Sequence, residues 1–183
     1  MSVEQIAHFA QPVLDLPLVR RTRRNHGLEH ATITILSQRV RSLKMAGRSD
    51  SGGFVLLGEA PTEQIEASVQ EALRRLRGGE RSLAVHPNCG TNLLTTGFMA
   101  SVAAMLGFAG TSRRDAWNRL PVVLMLVMFS LIFSQPLGLS LQRWITTDGD
   151  PADLEVLRIT KSTMQTPLSS NPITVHRVTT SSS

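Results

Sequence analysis

Two long stretches of this chain contain no Asp, Glu, Lys or Arg, and they restrict its fold more than any other feature. The first covers residues 82–112, with its apolar part, LLTTGFMASVAAMLGFAG, at 93–110. The second is LPVVLMLVMFSLIFSQPLGLSLQ, residues 120–142. A helix crosses the hydrocarbon core of a bilayer in about 20 residues, so each stretch is long enough. The second is apolar all round, unlike a surface helix of a soluble domain. The first is richer in small residues, spaced four apart as Gly97 with Ser101, Ala100 with Ala104, and Ala103 with Gly107. That spacing lets helices approach closely in lipid. The expectation is a hairpin of two membrane helices joined by TSRRDAWNR, residues 111–119. A soluble, buried helical hairpin is the alternative.

The opening MSVEQIAHFAQ has no basic region followed by an apolar core, so the apolar stretches read as anchors and not as targeting sequence. The formal charge is +5, and the densest basic cluster is Arg20, Arg21, Arg23 and Arg24. No aromatic residue interleaves with it, which argues against nucleic acid as a partner. Beside a membrane hairpin, the cluster is expected to meet anionic lipid head groups. Arg113, Arg114 and Arg119 would place the connecting loop in the cytoplasm. Arg74, Arg75, Arg77 and Arg81 would place the N-terminal part there, and this larger group decides for a cytoplasmic domain. Cys89 is the single cysteine and has no internal disulfide partner, which suits the same reducing compartment.

The first half of the chain alternates helix and strand signals. Ser2 with Gln5 forms a capping-box pattern over a short helix, 3–11, whose Val3, Ile6, Phe9 and Ala10 make an apolar stripe suited to a membrane surface. Thr22 reads as the cap of a helix over 23–39, with Leu28, Ala31, Ile35 and Leu36 on one face. The run ATITIL inside it fits a strand equally well by β-branching. VRSLKMAGR and GFVLLGEA predict two strands around the turn Ser49-Asp50-Ser51-Gly52. Pro61-Thr62 opens a helix striped by Ile65, Val69, Leu73 and Leu76, and Gly78-Gly79 closes it. SLAV at 82–85 predicts a further short strand. LEVLRIT and ITVHRVT, after the hairpin, predict strands able to join the earlier sheet.

The fold expected is therefore α+β. A small helix–strand–strand–helix–strand domain is interrupted by a two-helix transmembrane hairpin, and the C-terminal strands return to the sheet. The expected organisation is a membrane-surface segment at 1–21, the α+β domain at 22–91, the hairpin at 92–142, and C-terminal strands with a frayed tail at 143–183.

Two motifs carry chemistry. His26-Gly27-Leu28-Glu29-His30 is an H-x-x-E-H pattern. On a helix, residues four apart share a face, so His26 and His30 would project together toward one metal ion. Glu29 stays near that face, where it could act on a metal-bound water, in the residue order of inverzincins. The second motif is His86-Pro87-Asn88-Cys89, in which an imidazole and a thiol three residues apart can ligate one ion across a turn. With His26, His30, His86 and Cys89 all bound, the site is closed and structural. With three bound, it is open to water and to catalysis. The spacing admits both. Neutral imidazoles and one thiolate suit Zn²⁺ first among divalent metals.

The paired strings resemble those of the YqhQ-like family of bacterial membrane proteins, which carry H-G-A-E-H-K and, further on, H-P-R-C-G-T-S. Here they read HGLEHA and HPNCGTN, in the same order, with the second again leading into a membrane segment. The chain is similar also to a shorter membrane family described only as a domain of unknown function. The resemblance implies a metal-dependent enzyme, with His26, Glu29, His30, His86 and Cys89 as site residues. Leu28, Ala31, Asn88 and Asn92 depart from the YqhQ-like strings. The functional expectation is a divalent-metal site at the bilayer surface of an integral membrane protein. Its activity would be hydrolysis of a membrane peptide or lipid, with Glu29 as the base. The alternative is a non-enzymatic assembly or sensing protein with a structural metal.

Overall fold

A computed structural model describes residues 2–166 and 169–183. The chain divides into two compact units. One comprises Met1–His86 with Arg143–Ser183, and the other is Pro87–Gln142.

The first unit is a four-stranded antiparallel sheet packed with helices. Helix α1 (Val3–Phe9) is opened by the Ser2–Gln5 capping box, both of whose hydrogen bonds form. A single turn, α2 (Gln11–Leu14), carries Pro12 at its start, where the missing N–H costs nothing. Helix α3 (Pro17–Arg39) begins earlier than its expected cap at Thr22. Pro17 is pre-set for a first helical turn, and the Thr22 hydroxyl donates back to the Leu18 carbonyl at 2.8 Å instead of capping. The ambiguous ATITIL lies inside this helix. Leu28, Ala31, Ile35 and Leu36 are all at most 2% exposed, so burial at the helical period outweighs the strand preference of Thr32, Ile33 and Thr34.

Strands β1 (Ala46–Asp50) and β2 (Gly53–Leu57) form the expected hairpin. The first strand starts later than the sequence predicts, because Val40 caps α3 and Ser42 turns the chain at φ 56°. Helix α4 (Thr62–Arg77) buries Ile65, Val69, Leu73 and Leu76 as its stripe requires, together with Ala72. SLAV does not form a strand: Arg81–Ala84 is a 3-10 turn. A strand would send Leu83 and Ala84 to opposite faces, whereas both are buried in the same core as α3.

After the second unit, β3 (Glu155–Thr166) and β4 (Ser169–Ser181) complete the sheet in the order β1-β2-β4-β3. The C-terminal strands do return to the early sheet, with β4 paired directly to β2 so that Phe54 faces Val178 and Leu56 faces His176. Phe54, Leu56 and Val178 are fully buried with the apolar faces of α3 and α4. Each such side chain contributes about 1.5–3 kcal/mol relative to exposure.

The second unit is a helical hairpin, α5 (Gly90–Phe108) and α6 (Ala116–Leu141), followed by a π-helical turn, Gln142–Thr146. The helices are held together by small and polar residues. Near the loop, a Cβ on Gly107 would lie 2.8 Å from Val123 Cγ2. At the other end, Gly138 sits against Asn92, 3.1 Å from its Cα to where a Cβ would stand. Between these points Thr96 and Ser134 share a hydroxyl hydrogen bond of 3.0 Å, and the buried Gln142 donates Nε2–H to Asn92 Oδ1 at 2.8 Å. Gly97, by contrast, has open space beside it. Gly90–Phe108 and Ala116–Thr146 are long and apolar enough to cross a membrane. Their large side chains point outward, with Phe98, Phe129 and Phe133 all more than half exposed.

Candidate metal centre

Helix α3 places His26 and His30 one turn apart, and their rings meet edge to face with centroids 4.3 Å apart. His86, just after the 3-10 turn, brings its ring to 6.0 Å from that of His30. Two imidazoles bound to one tetrahedral zinc, with Zn–N near 2.0 Å, hold their centroids roughly 5 Å apart. The two observed separations fall on either side of that value.

Each helical histidine is oriented by a backbone carbonyl. His26 Nδ1 lies 2.9 Å from the Thr146 carbonyl oxygen, and His30 Nδ1 lies 2.8 Å from that of Ala84. A carbonyl can only accept, so Nδ1 is the protonated nitrogen in both rings. In the neutral imidazole this leaves Nε2 as the lone-pair nitrogen. The same arrangement fixes the tautomer of metal-ligating histidines generally.

The segment supplying the Thr146 carbonyl is held down by the same helix. Arg23 donates from Nη2 to the carbonyls of Trp144 and Thr147, both at 3.2 Å, and the Asp148 N–H donates to the Arg23 carbonyl at 2.9 Å. Gly27 lets the segment come close. A Cβ there would collide with the Asp148 carbonyl oxygen and would lie 3.3 Å from Ala84 Cβ. Asn25 anchors the same turn of α3 to the sheet, donating to the Asp50 carbonyl at 2.8 Å and accepting from the Thr180 hydroxyl at 2.6 Å.

Glu29 is buried at 4% exposure. Its carboxylate points onto β1, where the Ser49 hydroxyl donates to Oε2, and it fills the space a side chain at Gly47 would need. Cys89 is the N-cap of α5. It is buried, and its sulfur accepts from the Thr91 N–H at 3.4 Å. Only Pro87 and Asn88 separate it from His86, so three trans peptide steps confine its Cα to within about 11 Å of that of His86. Of the residues expected at the site, the first unit thus brings His26, His30 and His86 together and turns Glu29 toward the sheet. Nothing in the sequence marks the carbonyls of Ala84 and Thr146 or the partners Ser49 and Gly47. Gly27, inside the motif, was the one visible sign of a close backbone approach.

An uncharacterized protein of Picosynechococcus sp. is 31% identical over 142 residues, covering 66% of this chain and 69% of its own length. No solved structure matches. A family model described as "Domain of unknown function (DUF6391)" matches residues 21–159, which include both histidine motifs and the apolar hairpin, and the chain belongs to that family.

Proposed function

We propose that this is an integral membrane protein that holds one divalent metal ion, zinc first by donor chemistry, on His26 and His30 of α3, with His86 and Cys89 of the HPNC string completing the set. The observation that carries the reading is the pair of Nδ1–carbonyl hydrogen bonds, which prepares both helical histidines as Nε2 ligands. His86 and Cys89 follow from their ring distance and chain spacing. The shared HGxEH and HPxCGT strings of the YqhQ-like family add support. Two imidazoles and a thiolate suit Zn²⁺. The outward apolar surface of α5 and α6 supports a bilayer around the hairpin, because a soluble core helix would bury such residues. Both ends of the hairpin continue into the sheet unit, which the arginines at 74, 75, 77 and 81 assign to the cytoplasmic side.

The engagement of Glu29 with Ser49 supports a closed, non-enzymatic site, in which the metal ties α3 to the HPNC turn. The hydrolase reading rests on the same carboxylate, since Glu29 is buried one residue before a ligand and would take the proton of a metal-bound water. Metal analysis of the purified chain tests the site. Stoichiometric zinc, lost in His30→Ala, is expected, and protein without bound metal under metal-replete conditions would overturn it. X-ray absorption separates the two chemistries. Nitrogen and sulfur ligands with no water oxygen identify the closed site, whereas a water ligand together with peptidase or lipase activity abolished by Glu29→Gln identifies the hydrolase.

A further inference from the structure

The four-arginine cluster is divided in use. Arg24 pairs with Asp153 at 2.9 Å and also reaches the Ser183 carbonyl, and Arg23 holds the Trp144 and Thr147 carbonyls. The Nε of all four is out of water without a partner, but Arg20 and Arg21 alone of the four also have no ion pair and no side-chain hydrogen bond from their Nη groups among the described residues. Half-buried guanidinium groups in this condition call for an anion from outside the chain.

The segment before them carries an unusual amount of exposed apolar surface. Ala7 and Leu14 are buried and fasten α1 and α2 down. Ile6, Phe9, Val13, Leu16 and Leu18 remain exposed, from 42% at Ile6 to 86% at Phe9. Exposed aliphatic and aromatic side chains next to unpaired arginines match the two layers of a bilayer surface, acyl chains below and phosphates above.

We propose that residues 3–21 dock in the head-group layer of a bilayer containing anionic phospholipid. Phe9, Val13, Leu16 and Leu18 enter the acyl boundary, and Arg20 and Arg21 bind lipid phosphates. The proposal rests on the membrane reading of α5 and α6, and it adds a second, lipid-selective contact that the hairpin does not need. Charge complementarity decides for anionic lipid over a second copy of the chain, because a second copy would bring the same unpaired arginines to the contact.

The test uses the full chain with Phe9→Trp, Trp117→Phe and Trp144→Phe, so that position 9 holds the one indole fluorophore. It is reconstituted into vesicles of phosphatidylcholine, or of phosphatidylcholine with phosphatidylglycerol, with brominated acyl chains in each. Resistance of the chain to alkaline carbonate extraction reads the hairpin separately. Docking predicts that bromolipid quenches the indole introduced by Phe9→Trp, more strongly when phosphatidylglycerol is present, and that iodide in the water does so weakly. Arg20→Gln and Arg21→Gln should each lower the docked-to-undocked ratio about fivefold in the anionic vesicles, and Arg20→Lys with Arg21→Lys should retain it. Strong iodide quenching in an extraction-resistant chain would overturn docking and leave the hairpin reading intact. Shielding from both quenchers that grows with protein-to-lipid ratio would overturn it in favour of a second copy. Equal quenching in both lipids, unchanged by Arg20→Gln and Arg21→Gln, would overturn the anionic selectivity.

Discussion

The Glu29 carboxylate lies where a side chain on Gly47 would have to stand, and β1 can pass α3 there because residue 47 has none. The Ser49 hydroxyl, on the same strand two residues further, donates to the same carboxylate. Gly47 has no positive φ, so its requirement is one of space and not of backbone freedom. Gly47→Ala should therefore destabilise the chain by about 1–3 kcal/mol through overpacking against a buried polar group. Glu29→Ala in the same chain should recover part of that loss. A double-mutant cycle by chemical denaturation in detergent would show non-additivity of at least roughly 0.5 kcal/mol. Strict additivity would mean that the two residues do not share the space.

Gly27 makes a comparable prediction for the metal. A methyl group there collides with the Asp148 carbonyl and forces the 144–148 segment away from α3. The Thr146 carbonyl would move with it and release His26 Nδ1. Alanine is the better helix former by about 1 kcal/mol, so intrinsic propensity alone predicts a neutral or stabilising change. The expected result of Gly27→Ala is instead a loss of zinc affinity of roughly 10–100-fold in competition with a chelator, the range found when an orienting partner of a ligand is removed. Unchanged affinity would show that the Thr146 carbonyl does not prepare His26.

The parts of the site that could be read in advance are those encoded by side-chain period. Leu28, Ala31, Ile35 and Leu36 repeat at the helical spacing and are buried together, which makes His26 and His30 neighbours on one turn. β4 was legible as the strand expected at ITVHRVT. Thr174, His176, Val178 and Thr180 alternate with more exposed neighbours and are buried, as a half-buried strand requires. The orienting groups of the histidines are backbone carbonyls, and any residue could supply those. Ala84 and Thr146 therefore carried no signal. SLAV misled because four residues are too few to separate alternation from a tight turn that buries two adjacent side chains. The basic cluster read as one feature, although its arginines divide between intramolecular anchoring and the surface according to contacts more than 120 residues away in sequence.

Within the hairpin, Gly138 and Asn92 form the closest approach at one end, and Asn92 also accepts from Gln142 and donates to the Pro87 carbonyl at 2.7 Å. Asn92→Leu removes both hydrogen bonds and sets a branched side chain against Gly138. On the proposed membrane reading of the hairpin, polar contacts between the helices are worth about 0.6 kcal/mol on average and up to about 1.7, so a loss of roughly 1–2 kcal/mol is expected. Thr96→Val, which removes only the hydroxyl facing Ser134, should cost less. Steric-trap unfolding in bicelles measures both, and a larger effect at Thr96 than at Asn92 would reverse this ranking.

His176 gives a pH dependence that can be separated from the metal site. It is fully buried on β4 opposite Leu56, with Nε2 at 3.2 Å from the Thr62 hydroxyl and Nδ1 unpaired. Burial pushes its pKa below the ordinary 6.5. Lys161, directly across on β3, acts in the same direction, and Glu59 opposes them. A depressed histidine pKa means that the unfolded chain binds the proton more readily than the folded one. The neutral ring's contribution to stability is therefore complete above pH 6.5 and declines as pH falls from there toward the folded value. Asp50 works in a lower window. Arg177 holds its carboxyl below the ordinary 3.8, so that contribution is lost only as pH falls through and below that value. Thermal unfolding of the full chain from about pH 8 to about pH 3 should show a Tm that begins to fall below roughly 6.5. His176→Gln, which cannot titrate, should flatten that fall and leave the Asp50 window, below about pH 4, unchanged. Identical slopes for the two would show that His176 takes up its proton as readily folded as unfolded.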